Sequence, residues 1–141
     1  MKRMQKNRKH ARDFMRIAHV VSTYPPYRGG MGDVAAEMVS RLRARGHEVE
    51  VFTLRSGVDV HRVPALRIGN AGIAPSLAWR LRSFDIVHLH APFFGGEEFV
   101  WLGSLFRPHQ PLVVSYHMDP IADGLKGWIF AAHRRLFLPW L

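Results

Sequence analysis

The stretch "STYPPYRGGMGDVAAEMVSRL", residues 22–42, combines a stiff aromatic loop, a cluster of glycines and the start of a helical pattern. Apolar residues follow the glycines at spacings of three and four, which predicts an amphipathic helix over residues 31–45. Gly46 is a residue type typical of the position after a helix. The predicted buried stripe consists of Val34, Ala35, Met38, Val39 and Leu42.

Short apolar segments on both sides of this stretch indicate strands. "RIAHVVS" (16–22) precedes it, and "HEVEVFTL" (47–54), "FDIVHLH" (84–90) and "PLVVSYH" (111–117) follow, separated by helical patterns near 75–81, 97–106 and 125–138. Residues 55–73 look irregular, with a short strand near "VHRV" (60–63). Strands that are apolar on both faces and alternate with helices predict an α/β fold, namely a Rossmann-like parallel sheet with helices on both faces.

Composition narrows the class of protein. The chain has 141 residues, a formal net charge of +9 and no cysteine, so it has neither disulfides nor thiolate metal ligands. Seven of the 20 Lys and Arg residues lie in residues 1–16. We expect residues 1–14 to be a basic disordered tail and 15–141 to be one domain. Residues 1–14 contain no apolar secretory signal and no nucleic-acid-binding module, which favours a cytoplasmic protein without a nucleic-acid partner.

The loop of residues 23–32 is predicted to lie at the carboxyl edge of the sheet, where open parallel sheets bind ligands. Gly29, Gly30 and Gly32 stand at the amino end of the helix, where unpaired N–H groups and the helix dipole favour a phosphate. Tyr24, Tyr27 and Arg28 offer hydroxyl groups, stacking faces and a cation to a polar ligand.

Two other functions remain open at this point. "GMGDVA" (30–35) fits the dinucleotide pattern G-x-G-x-x-A, although seven residues separate it from the strand and the second strand lacks an acid for the ribose. Arg55 keeps NADP binding, in an NAD(P)- or nucleotide-dependent Rossmann-type enzyme, as an alternative. The basic tail and "GWIFAAHRRLFLPWL" (127–141) suggest a non-catalytic module that binds membranes peripherally.

The nine histidines raise the question of a metal site. His88 and His90 are two apart on a strand and share a face. Neither Asp nor Glu is spaced to complete a ligand set with them. The sequence therefore predicts no metal, and His19, His61 and His109 are interpreted as structural or exposed.

Three motifs in order carry a resemblance to a known family. Residues 19–53, "DIVHLHAPFFGG" (85–96) and "PLVVSYHMD" (111–119) resemble the opening of glycosyltransferase family 4, over about residues 15–138. The resemblance implies the amino-terminal, acceptor-side half of a GT-B glycosyltransferase. It also implies a retaining hexosyltransferase that uses a nucleotide-sugar donor, a sugar or lipid-linked acceptor and no further cofactor. Many members act at the cytoplasmic face of a membrane.

The resemblance also assigns roles to individual residues. Gly29 and Gly30 would approach the donor phosphates, and His117 would contact the transferred sugar. His90 and Asp119 would lie beside the cleft, with Tyr24, Tyr27 and Arg28 facing donor phosphate or acceptor. The family's carboxyl-terminal domain, with its two spaced glutamates, has no counterpart in these residues. We therefore expect a fragment, a truncated reading frame or half of a split enzyme, inactive alone.

Overall fold

The computed structural model describes residues 14–69, 71–118, 124–136 and 139. The strands are β1 (Arg16–Val20), β2 (Glu48–Thr53), β3 (His61–Arg62), β4 (Leu66–Ile68), β5 (Ala71–Ile73), β6 (Ile86–Ala91) and β7 (Leu112–Tyr116). The helices are α1 (Gly30–Ala44), α2 (Leu77–Arg80), α3 (Glu97–Leu105) and α4 (Gly124–Leu136). The predicted tail and the predicted site residue Asp119 lie outside the described residues, as do Phe137, Leu138, Trp140 and Leu141.

The main sheet has five parallel strands in the order β3-β2-β1-β6-β7. The order of the strands reverses at β1, which lies between β2 and β6. Such a reversal opens a crevice at the carboxyl ends of the strands. The predicted parallel α/β architecture is therefore confirmed, and the loop after β1 is at the crevice.

Helices cover both faces of this sheet because successive β1 residues point to opposite sides. Ile17 and Val21 pack with Ala35 and Val39 of α1 in one apolar cluster. Ala18 and Val20 belong to a second cluster on the opposite face. That cluster also contains Leu77 of α2, Val100 of α3, Leu81, Leu89 and Phe93.

Helix α1 shows where periodicity predicts burial and where it does not. The helix begins at Gly30, one residue before the predicted start, and Gly46 follows it with φ 92°. Glu37 and Arg41 form the ion pair expected from their spacing, at 2.7 Å. Val34 was predicted to be buried but is exposed. It lies at the margin of the apolar stripe, beyond the reach of the sheet.

The sequence pattern missed a small antiparallel hairpin. β4 and β5 pair within the segment that was predicted to be irregular, with Arg67 opposite Gly72. Three-residue strands are too short for an alternating pattern to stand out. A Cβ on Gly72 would lie 2.9 Å from a methyl carbon of Leu54, so this glycine lets the hairpin pack closely on the core. Among the helices that the structure describes, none is long and apolar enough to cross a membrane.

Candidate active site

A cavity of about 640 Å³ opens at the carboxyl edge of the sheet. The loop after β1, the start of α1, the β4–β5 hairpin and α4 form its walls. Pro92 and Met118, which follow strands β6 and β7, also line it. The predicted ligand site therefore corresponds to a real cavity at the position where the sheet topology expects one.

The start of α1 presents backbone N–H groups without a side-chain cap. The first backbone hydrogen bond of the helix comes from Asp33 N–H to Gly29 O, at 3.0 Å, so the N–H groups before it make no intrahelical bond. Gly29 and Gly30 line the cavity. A Cβ on Gly30 would meet no atom within 4 Å, so this position is open to an approaching ligand. Both features suit a bound anion.

Gly32 has a different environment from its two neighbours. A Cβ at Gly32 would lie 2.8 Å from the backbone oxygen of Thr23, and the residue is buried and does not line the cavity. Its lack of a side chain lets the loop after β1 pack against α1. The structure gives Gly32 a packing role, and its grouping with the phosphate-binding glycines stays a prediction.

The aromatic and basic residues of the loop separate into two groups. Tyr27 and Arg28 line the cavity, as predicted for residues that meet a polar ligand. Tyr24 instead packs against the apolar cluster under α1, and burial raises the pKa of its hydroxyl. Tyr24 therefore has a packing role, and its assignment to the cleft stays a prediction.

A chain of three histidines runs through the interior behind the cleft. His19 Nδ1 lies 2.9 Å from His90 Nε2, and His90 Nδ1 lies 2.9 Å from His117 Nε2. His19 and His90 are fully buried, whereas His117 is partly exposed at the end of β7. His90 was predicted to lie beside the cleft, but its ring is behind His117. Neither His90 nor His117 lines the cavity; Met118, the next residue, does.

Burial keeps the imidazole rings of these connected histidines neutral. It lowers the pKa of His19 and of His90 to about 3, with smaller contributions from neighbouring histidines. The pKa values of His88 and His117 are lowered as well, mainly by burial. A neutral imidazole has one N–H and one lone pair, so His90 must donate in one of its two contacts and accept in the other.

The direction of the hydrogen bonds in this row of three histidines follows from its buried end, His19. His19 Nε2 is buried and has no hydrogen-bond partner among the described residues. An unpaired buried N–H is rarer in proteins than an unpaired acceptor, so we assign the lone pair to this nitrogen. His19 then donates from Nδ1 to His90, and His90 donates from Nδ1 to His117. His117 consequently carries its own proton on Nδ1, as a donor.

The register of the strands explains why His19 was missed. His19 is directly beside His88 in the β1–β6 pair, so His19, His88 and His90 point to the same face. His88 and His90 stand near the carboxyl end of their predicted strand and His19 in the middle of its own, so the match becomes visible only when β1 and β6 are paired in parallel. Pairing those strands in parallel would have moved His19 out of the group interpreted as structural or exposed and placed it beside His88 and His90.

Two groups of side chains in the described regions place potential metal ligands within 4.8 Å of one another. They are His19, His88 and His90, and Glu97, Glu98 and His133. In the first group His88 Nε2 already contacts Ser115 Oγ at 2.8 Å, and both nitrogens of His90 are engaged. A metal there would displace these hydrogen bonds. The absence of a metal stays a prediction.

Comparison with known proteins agrees with this architecture. The sequence profile described as Glycosyltransferase Family 4 matches residues 28–141.

The chain belongs to glycosyltransferase family 4.

Its fold is accordingly the Rossmann-like half of the GT-B architecture.

Named relatives of this family 4 chain are mannosyltransferases. A GDP-mannose:cellobiosyl-diphosphopolyprenol alpha-mannosyltransferase from Xanthomonas oryzae pv. oryzae is 34% identical over 122 residues, covering 73% of this chain and 31% of the relative. A protein with the same name from Komagataeibacter xylinus is 26% identical, covering 79% and 32%. A GDP-mannose-dependent alpha-mannosyltransferase from Corynebacterium glutamicum is 27% identical, covering 84% and 36%. The chain thus spans about a third of the length of these relatives.

Helix α4 forms one wall of the cavity and is held there by a buried carboxylate. Glu97 Oε2 accepts the Phe93 N–H at 3.0 Å, and Glu97 Oε1 lies 3.0 Å from His133 Nε2 of α4. Burial, together with Glu98, raises the pKa of Glu97 to about 7, although the Phe93 hydrogen bond lowers it. Phe94 stacks on Phe130 of α4 with ring centroids 4.8 Å apart. These contacts hold α4 beside the cavity, and periodicity alone did not indicate them.

Proposed function

We propose that this chain forms the acceptor-side domain of a retaining hexosyltransferase that transfers mannose from GDP-mannose to a lipid-linked acceptor. The observation that carries the proposal is the uncapped start of α1, with Gly29 and Gly30 in the cavity at the carboxyl edge of the sheet. The relatives support the choice of sugar, since their names specify GDP-mannose as donor and, for two of them, a diphosphopolyprenol acceptor.

In this proposal the backbone amides at the start of α1 bind a phosphate of the donor. The positive end of the helix dipole and the unpaired N–H groups stabilise negative charge there. Charge grows on the diphosphate as the bond to the sugar breaks, so donors aimed at that group favour the transition state over the ground state. No further cofactor is invoked.

In this proposal His117, which precedes the cavity-lining Met118 but does not itself line the cavity, donates a hydrogen bond to a transferred sugar that extends from the cavity towards the end of β7. The contact with His90 orients the His117 ring. The tautomers assigned above put the His117 proton on Nδ1, the nitrogen that is not bonded to His90. A neutral histidine that donates is suited to hold a sugar hydroxyl. It is not suited to act as a general base, because its other nitrogen is already occupied by the His90 N–H.

Membrane association is the finer part of the proposal. Leu125 and Trp128, spaced three apart on α4, are 75% and 74% exposed. Arg134 and Arg135 are in the last turn of the same helix. An apolar stripe followed by cations can lie in the interface of an anionic membrane. We propose peripheral contact with the inner face of the cytoplasmic membrane, where a lipid-linked acceptor is within reach.

The test of donor binding uses two substitutions at one open position. Gly30→Asp adds a negative charge at the cavity, and Gly30→Ala adds only a methyl group for which there is space. Titration of the chain with GDP-mannose, followed by NMR, should show shifts of the Gly30 and Met31 amides. Gly30→Asp should weaken binding by roughly 10-fold or more through charge repulsion, and Gly30→Ala should not.

Two results would contradict the proposal. Equal affinity of Gly30→Asp and Gly30→Ala for GDP-mannose would show that the donor binds elsewhere. Tighter binding of NADP⁺ than of GDP-mannose would favour the dinucleotide alternative.

We expect no mannose transfer to a lipid-linked acceptor by the 141-residue chain alone, because the chain spans about a third of the length of its relatives. Turnover by residues 1–141 alone would contradict this expectation.

A further inference from the structure

A second cavity, of about 350 Å³, lies beside the first and is lined by arginines. Its walls are Pro26, Tyr27, Arg55, Ser56, Arg62 and Arg67. No acidic side chain is among these lining residues. Three like charges in one small cavity repel each other and produce a positive potential, and a bound anion relieves that repulsion.

The backbone brings the three arginines together from separate elements. Arg55 follows β2, Arg62 ends β3 at the carboxyl edge of the sheet, and Arg67 is in β4. The guanidinium carbon of Arg55 lies 4.5 Å from the centroid of the Tyr27 ring, which holds that cation at the cavity. The missed β4–β5 hairpin therefore has a consequence: it adds Arg67 to the site.

Among the described residues, the guanidinium groups of Arg62 and Arg67 are unpaired, unlike those of several other arginines of the domain. Arg16 is paired with Glu48 and Glu50, Arg41 with Glu37, and Arg43 with Asp59. Within the parts of the chain that the structure describes, the side chains of Arg62 and Arg67 form neither a hydrogen bond nor an ion pair, and both residues are exposed. Their donors are therefore open to a ligand.

The chemistry of the lining favours a phosphate-bearing group. Planar guanidinium groups bind phosphate oxygens with two parallel hydrogen bonds each. Three guanidinium groups match the number of oxygens that a diphosphate offers better than those of a single carboxylate. Tyr27 supplies the one aromatic ring among these lining residues, and Arg55 lies over one face of that ring.

Apolar side chains on the hairpin that carries Arg67 indicate the chemistry of the rest of the ligand. Leu66 and Ile68, on either side of Arg67, are 70% and 76% exposed. With Ile73 and Phe94 they line a shallow groove of about 180 Å³. Side chains alternate along a strand, so Leu66 and Ile68 are on the face of β4 opposite Arg67. An amphiphile whose anionic head binds at the arginines reaches them when its apolar chain passes around the edge of the hairpin.

We propose that Arg55, Arg62 and Arg67 bind the diphosphate of the lipid-linked acceptor, and that Leu66 and Ile68 contact its isoprenoid chain. This assignment rests on the proposed function, because it takes the lipid-linked acceptor from there. Tyr27 lines both cavities, so a sugar attached to a diphosphate bound at the arginines is next to the donor cavity.

The test is a calorimetric titration of the chain with geranyl diphosphate, inorganic diphosphate and GDP. Arg62→Gln and Arg67→Gln should each weaken the binding of geranyl diphosphate by roughly 10-fold, since each removes a charge-assisted contact. Arg82→Gln is the matched control, because Arg82 is also exposed but precedes β6, at the opposite edge of the sheet. Ile68→Ser should weaken the binding of geranyl diphosphate and leave that of inorganic diphosphate unchanged.

Each other outcome overturns a defined part of the proposal. Unchanged affinity in Arg62→Gln and Arg67→Gln, or an equal loss in Arg82→Gln, would show that the arginine cavity is not the site. Inorganic diphosphate bound as tightly as geranyl diphosphate, or GDP binding that Arg62→Gln and Arg67→Gln weaken equally, would show that the cavity does not select a lipid. Failure of the proposed function is distinguishable, because it appears as loss of GDP-mannose binding at Gly30 while geranyl diphosphate still binds.

Discussion

Acidification from pH 7 to about pH 5.5 should destabilise the domain through its buried histidines. Burial lowers the pKa of His19 and His90 to about 3, so both stay neutral in the folded state over this range. In the unfolded chain a histidine has a pKa of about 6.5 and takes up a proton. Each ring therefore contributes stability that is present above pH 6.5 and is lost as the pH falls towards 3.

The magnitude follows from these values. One unit of pKa corresponds to about 1.4 kcal/mol, so each ring reduces the free energy of unfolding by about 1.2 kcal/mol between pH 7 and pH 5.5. His19 and His90 together account for about 2.5 kcal/mol. His88 and His117 have pKa values shifted in the same direction and add to this loss.

Glu97 acts in the opposite direction. Its pKa is raised to about 7, so its contribution to stability is complete below its unfolded pKa and is lost as the pH rises through 7. Acidification from pH 7 to about pH 5.5 therefore adds about 1.6 kcal/mol through Glu97. For the native chain the three groups leave a net loss of about 1 kcal/mol, and the Glu97→Gln variant should show the full loss of about 2.5 kcal/mol.

Urea unfolding at pH 7, 6.5, 6 and 5.5, followed by circular dichroism, measures these differences. In the Glu97→Gln background, His19→Phe should reduce the loss by about 1.2 kcal/mol, since one titrating ring is removed. His109→Asn, at an exposed turn, is the control variant. If the stability of Glu97→Gln is flat between pH 7 and pH 5.5, the assignment of His19 and His90 as buried neutral groups is wrong.

Three further predictions concern packing, protonation and the membrane. Gly32→Ala should lower the free energy of unfolding by about 1–3 kcal/mol, because its Cβ would lie 2.8 Å from Thr23 O, whereas Gly30→Ala should not destabilise the domain. Urea unfolding compares the two variants, and equal stability would refute the packing role of Gly32. Nitrogen-15 NMR at neutral pH should find the His117 proton on Nδ1, and a proton on Nε2 would reverse the direction assigned to the histidine chain. Leu125→Ser with Trp128→Ser should reduce sedimentation with anionic vesicles, whereas Phe106→Ser, exposed on the turn after α3, should not; equal sedimentation of all variants would exclude α4 as the membrane contact.

The amino-acid sequence alone was sufficient for the architecture. Strands such as β1 and β6 are apolar on both faces and α1 has a clear stripe, so local pattern indicates a parallel sheet covered on both sides. The same local information places Gly29 and Gly30 between a strand and a helix, and connectivity then puts them at the carboxyl edge of the sheet. The family follows from motifs of this kind in a fixed order, and the profile match over residues 28–141 confirms it.

Only the tertiary structure decided which of the singled-out residues meet. Tyr24 and Tyr27 are three residues apart in one loop, yet one packs under α1 and the other lines the cavity. Gly32 differs from Gly30 only through its proximity to Thr23. The contact of His19 with His90 depends on the pairing of β1 with β6, which are far apart in sequence. The arginine cavity likewise needs β3 and the β4–β5 hairpin, whose strands are too short to leave a periodic signal. Side-chain environment is set by long-range register and packing, and no local pattern in a single sequence encodes these.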